Sequence, residues 1–200
     1  MKNSGKAAAV FGIAVNFALF LAKLYVSISS NSLSIYCDAI NNLLDIFSCA
    51  AVLLGFFLVA KYSERPAKRT QSLFTFIISI VITVTGAYFL YNGIQRTMYP
   101  VPISYSHKYA AVISVTVCVK VLMAIVYHLF NRRQKSKMLS ALVLDSILDS
   151  CITVFTLLGL FAVRRAGFAI DGIFAIVIGA VITATSVKTL LSEAKFLIND

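Results

Sequence analysis

Four aspartates stand where an apolar segment should carry none. Asp38, Asp45, Asp145 and Asp149 each lie well inside a long hydrophobic run. An aspartate at the centre of a membrane-spanning helix costs roughly 2.5–3.5 kcal/mol on insertion scales, so such residues normally face a polar cavity and have a task there. Asp145 and Asp149 are spaced i, i+4, which stacks them on one helical face with Cβ atoms about 5–6 Å apart. Asn41 and Asp45 repeat that spacing in an earlier segment. If the two segments pack antiparallel, Asn41 comes level with Asp149 and Asp45 with Asp145. One amide oxygen and three carboxylates then converge near mid-membrane. Empty, the three acids repel one another, and protons relieve that repulsion. A divalent cation entering the pocket would neutralise two charges and displace protons, coupling metal binding to proton release. The protons would belong to the group rather than to single residues. This spacing suits a cation–proton exchanger.

The expected metal ligands, Asn41, Asp45, Asp145 and Asp149, include no histidine and no cysteine. Hard oxygen donors suit manganese, magnesium or calcium, whereas zinc sites usually recruit imidazole or thiolate. Calcium takes more than four oxygens, and magnesium keeps its waters. Manganese(II) fits best, with ferrous iron, cobalt and zinc as competitors. The ion is cargo and protons are its counter-ion; no resident cofactor is expected.

Other polar residues in the spans have plainer readings beside the functional one. An isolated intramembrane aspartate can be a structural hydrogen-bonding group; two helices that each carry an oxygen pair weigh against that reading here. Asp38 shares a face with Asn41 and Asp45 but lies nearer the outer surface, so anchoring and a pathway role both fit it. Lys120, near the middle of its span, pairs with one of the acids or reaches a polar cavity, and a structural role is favoured. Lys23 and Lys188 are expected to snorkel toward the interfaces. His107 and His128 read as interfacial, and Asp171 as an acid at a helix N-terminus. The four cysteines lie in apolar runs without a CxxC pair and read as small side chains buried in the membrane rather than as disulfides or metal thiolates.

These residues must be positioned by membrane helices. Of the 200 residues, 60% are hydrophobic and 13% charged, against about a quarter charged in soluble domains. A spanning helix needs about 20 mostly apolar residues. Six stretches qualify: 7–28, 33–60, 73–95, 109–130, 139–163 and 170–191. The first lacks a cleavage signal and is long enough to span. The fold class is therefore an all-α membrane protein with six transmembrane helices, a multi-pass protein of the cell (plasma or inner) membrane. Lys2, Lys6, Lys61, Arg65, Lys68, Arg69, Arg132, Arg133, Lys135, Lys137 and Lys195 fall on one side, and Arg96, Lys108, Arg164 and Arg165 on the other. This asymmetry places both termini in the cytoplasm. The net charge of +10 is thus a topological signal, and the expected partners are divalent metal ions and the lipid bilayer, not nucleic acid. Small and hydroxyl residues such as Ser48, Ala50 and Ala51 are expected to support helix packing.

The segment Ser30–Asn31–Ser32–Leu33–Ser34–Ile35, followed by Asp38–Ala39–Ile40–Asn41–Asn42–Leu43–Leu44–Asp45, resembles the second helix of the cation diffusion facilitator family. Asp145–Ser146–Ile147–Leu148–Asp149 resembles that family's fifth-helix DxxxD. Asn16 with Lys23, Lys120, and Asp171 opening the sixth helix are smaller echoes. The resemblance covers nearly the whole chain. It implies efflux of divalent metal in exchange for inward protons by a homodimer using alternating access, with the ion on Asn41, Asp45, Asp145 and Asp149. Asn at position 41 is similar to manganese-assigned members, where zinc-handling members place His or Asp. Two departures stand out. The chain reads as a single six-helix domain over 1–200 without the family's C-terminal cytoplasmic domain, a shortened or minimal member in which dimerisation has less support. The connector 61–72 lacks the usual His/Asp-bearing, Gly-rich pattern, which speaks against an accessory metal site there.

Three rival functions fit the residues less well. Intramembrane aspartyl proteases also pair aspartates on neighbouring helices, but their Tyr-Asp and Gly-x-Gly-Asp motifs are missing around Asp145 and Asp149; no enzyme is expected. A proton-coupled organic-cation exporter would favour an aromatic pocket around one acid. A scaffold without transport would bind no metal.

Overall fold

The computed structural model describes the backbone of residues 2–61, 64–134 and 137–199, and the side chains of 6–55, 57–58, 69–132, 142–163 and 167–198. Six helices follow one another: α1 (Lys2–Ser30), α2 (Leu33–Lys61), α3 (Glu64–Met98), α4 (His107–Gln134), α5 (Lys137–Ala166) and α6 (Ala169–Asn199). Each contains a stretch long and apolar enough to cross a membrane, as the hydrophobic runs require. No strand occurs among the described residues. The helices outrun the apolar segments at several ends. α3 begins at Glu64 rather than near Leu73, so most of the expected connector 61–72 is helical. Apolarity marks only the part of a helix that meets hydrocarbon; a polar extension keeps its backbone hydrogen bonds beyond it.

Six consecutive spans cross the bundle in alternating directions, so both chain ends share one end of it. The α1–α2 turn shows how tightly this is done. Asn31 takes the left-handed conformation (φ 58°), and the Ser32 amide bonds back to the Ser27 carbonyl at 3.2 Å, a Schellman closure of α1. Ser32 then caps α2, its Oγ accepting from the Ile35 amide at 3.3 Å. Of the bases behind the expected orientation, Lys2, Lys61, Arg65, Lys68, Arg133, Lys135, Lys137, Arg164 and Arg165 lie outside the described side chains.

The closest helix packing joins α3 to α6. A Cβ on Gly172 would stand 2.6 Å from the Thr97 nitrogen and 2.7 Å from the Gly93 carbonyl oxygen, and one on Gly93 would stand 2.8 Å from the Ile176 nitrogen. Backbones this near one another admit only glycine at the seam, the small-residue packing used inside bilayers. This corrects the expectation for Ala50, which faces outward, while Ala51 is buried. The period of α2 turns Ala50 away from its neighbours.

Three apolar clusters hold the interior: Ala8, Cys49, Met123, Tyr127 and Leu142; Val26, Ile35, Ala110, Ile113 and Leu160; and Cys37, Phe89, Ala175, Ile178 and Ile182. On α2, the first two clusters use Cys49 and Ile35. Between these lie Asp38, Asn41 and Asp45. The polar layer is thus bracketed above and below by packed hydrocarbon. Outside, Phe17, Leu21, Val84, Tyr88, Leu122 and Leu158 are exposed, as a lipid-facing surface requires.

Candidate metal centre

α2 and α5 present their paired residues to one another. One oxygen from each of Asp45, Asp145 and Asp149 lies within 4.8 Å of the others. Asn41 Nδ2 donates to Asp149 Oδ1 at 2.7 Å, so Asn41 and Asp149 are level, as the antiparallel register anticipates. Because the amide nitrogen serves Asp149, the carbonyl oxygen is the atom Asn41 has left for an ion. Asp45 and Asp149 are buried and Asp145 half-buried. All four residues line a cavity of about 490 Å³ between α2, α3, α5 and α6. From there the cavity continues past Thr75 and Gln71 of α3 and Thr189 and Glu193 of α6, toward the end of the bundle that carries both termini.

Lys120 reaches this group from α4. Its Nζ donates to Asp45 Oδ2 at 2.8 Å, to Asp149 Oδ2 at 2.7 Å and to Asn16 Oδ1 at 2.8 Å. These are all three donors an ammonium possesses. The sequence marks Lys120 as out of place and allows a pairing with one acid, but not a bridge between two. Asn16 stands out in the sequence only as an echo of the family pattern. The signal for both was their polarity in apolar spans; their partners became visible only with helix packing.

A second ionic group lies farther along the bundle. Lys23 Nζ donates to Asp38 Oδ1 at 2.9 Å and to Thr153 Oγ1 at 2.8 Å, and Lys23 and Asp38 are fully buried. The expectation that Lys23 snorkels is therefore corrected. A fully desolvated ammonium is tolerated because the opposing carboxylate is in direct contact. Asp38 Oδ2 has no hydrogen-bond partner among the described residues, and neither residue lines the cavity around Asp45. Lys188 is exposed, as expected of a snorkelling lysine.

Asp171 is likewise reassigned. It lies in the first turn of α6, yet its carboxylate serves the start of α2. It accepts from Ser32 Oγ at 2.7 Å, the Leu33 amide at 2.7 Å, the Ser34 amide at 3.2 Å and Ser34 Oγ at 2.6 Å. The free amides of the first turn of α2 attract the charge. Arg96 Nε stands 3.7 Å from the same carboxylate, and an Arg96 guanidinium nitrogen bonds the Asn31 carbonyl. These contacts tie α2, α3 and α6 together at the end opposite the cavity mouth. His107 and His128 are exposed on α4, and all four cysteines are free, with Cys37 and Cys49 buried and Cys118 and Cys151 exposed.

Comparison with known proteins adds two findings. The cation efflux transmembrane domain matches residues 9–198. The chain is also similar to the manganese efflux system protein MneS of Bacillus subtilis (strain 168), at 27% identity over 192 residues, 91% of this chain. It spans 64% of that relative's length.

Proposed function

The chain belongs to the cation efflux family, whose members are transporters rather than enzymes, and from that premise we propose that it exports a divalent metal ion, manganese(II) first, in exchange for protons. The observation that carries this reading is the meeting of Asp45, Asp145 and Asp149 within 4.8 Å on the wall of a cavity deep in a six-helix bundle. Buried acids at this spacing repel one another until protons or a multivalent cation relieve them, and a group that takes either exchanges one for the other.

The donor set supports manganese. Three carboxylates and the Asn41 amide are all oxygen ligands, and among the described residues neither imidazole nor thiolate joins them. The similarity to a Bacillus manganese efflux protein points the same way. The positive-inside reading places both termini in the cytoplasm, so the cavity takes its ion from the cytoplasm. Release to the other side requires the Asp171 contacts with Ser32 and Ser34 to part as the cavity mouth closes, a rocking of helices about a fixed central site.

The test is transport into proteoliposomes carrying a metal-sensitive dye and an imposed pH gradient. Manganese entry that collapses with the gradient and is lost in Asp45→Ala is expected. Entry indifferent to the gradient contradicts proton exchange, and a zinc preference in competition contradicts the assignment of the ion.

A further inference from the structure

Lys120 is set into the wall of the site, not into its mouth. Its side chain is fully buried, and neither it nor Asn16 borders the cavity that Asn41, Asp45, Asp145 and Asp149 line. Its three donors are divided between Asp45 Oδ2, Asp149 Oδ2 and Asn16 Oδ1 at 2.7–2.8 Å. Asp149 is thereby gripped from two sides, with Oδ2 on Lys120 and Oδ1 on Asn41. An ion arriving through the cavity meets the carboxylates from the face opposite the ammonium.

We propose that Lys120 is a resident cation of the site, which stays bonded to Asp45 and Asp149 while the transported ion comes and goes, and sets the site's net charge to that of one divalent ion. With the ion bound, three carboxylates and one ammonium leave two formal negative charges. A divalent ion cancels them inside the bilayer, where an uncancelled charge is costly. A trivalent ion leaves a positive excess, and a monovalent ion a negative one. Lys120 is thus a positioning residue in two respects. It orients one oxygen of Asp45 and one of Asp149 toward α4, and its charge selects against ions of the wrong valence. The nearby Lys23–Asp38 pair is neutral as a unit and does not alter this count.

This inference rests on the reading of the site as a metal site, and the experiment separates the two. Binding of manganese(II) and lanthanum(III) to the purified full chain is measured by calorimetry at one fixed pH, for wild type, Lys120→Gln and Lys120→Arg. Repulsion between a fixed charge and an ion scales with the ion's charge. Removing it in Lys120→Gln is therefore expected to tighten manganese binding about tenfold and lanthanum binding about thirtyfold. The ratio of the two affinities moves by about threefold, while Lys120→Arg keeps the wild-type ratio. A merely structural lysine would weaken both ions together. A lysine displaced by the ion would strengthen both by the same factor. An unmoved ratio in Lys120→Gln therefore overturns the proposal. Should that variant fail to fold, the wild type decides: a crystal structure with manganese bound is expected to keep Lys120 Nζ on Asp45 and Asp149, as in the ion-free site, and a Lys120 turned away from both carboxylates overturns the proposal. A wild type that binds neither ion contradicts the reading of the site itself.

Discussion

Among the described residues the bundle contains two buried lysine–aspartate groups, and they differ in balance. Around Asp38, one carboxylate meets one ammonium: Lys23 closes on Asp38 and Thr153, all three are fully buried, and none lines the cavity that Asp45 borders. Around Asp45, three carboxylates share one ammonium, and the acids line open space. Asp38 and Asp45 lie about two turns apart on the same helix, so composition and depth alone do not separate them. The surplus of negative charge and the access do. A matched, sealed pair pins helices together; an unmatched, accessible cluster has capacity for a cation.

The largest expected effect breaks the accessible cluster. Asp149→Ala removes a ligand together with the acceptor of both Asn41 and Lys120, and manganese uptake into proteoliposomes is expected to fall to background. Persistent uptake would place the ion elsewhere. The sealed pair responds differently. Lys23→Met leaves the Asp38 carboxylate buried without its counter-charge and is expected to lower stability by about 3–5 kcal/mol, read by thermal unfolding in detergent. Adding Asp38→Asn removes both charges and is expected to recover most of that loss and retain uptake. A folded double variant without uptake would erase the distinction between the two groups.

Smaller effects sharpen it. Asp171→Asn weakens charge-assisted hydrogen bonds at the closed end, with an expected stability loss of about 1.5–3 kcal/mol. Equilibrium manganese binding should stay at the wild-type level, because Asp171 does not line the cavity; weakened binding would extend the site to the far end of the bundle. Asn41→His supplies a nitrogen donor and is expected to shift preference from manganese toward zinc by about tenfold, or ~1.4 kcal/mol. Competition binding reads this shift, and an unchanged order of ions would remove Asn41 from the ligand set.

Much of this architecture is legible in the residues because lipid imposes a simple code. Apolar length reveals six spans, and i, i+4 spacing places Asn41 beside Asp45 and Asp145 beside Asp149 on their faces. Even the pairing of Asn41 with Asp149 follows from antiparallel packing. What could not be read depends on contacts between helices distant in sequence. Lys23 looked able to snorkel because its partner lies on α2 and its hydroxyl neighbour on α5. Asp171 was assigned to its own helix, although the amides it meets begin α2 across the bundle. Lys120 showed itself as out of place, but nothing local told that α4 would bring it against both Asp45 and Asp149. The Gly93–Gly172 approach was hidden for the same reason, since a glycine in a span says little until its facing backbone is known.

The central claim is that the ion sits among Asp45, Asp145 and Asp149. Anomalous scattering at the manganese absorption edge, on crystals of the manganese-loaded protein, tests it most directly. One peak between those three carboxylates, with Lys120 still bonded to Asp45 and Asp149, is the predicted result. Density at Glu193 or Asp38 with none at the three carboxylates would contradict the account.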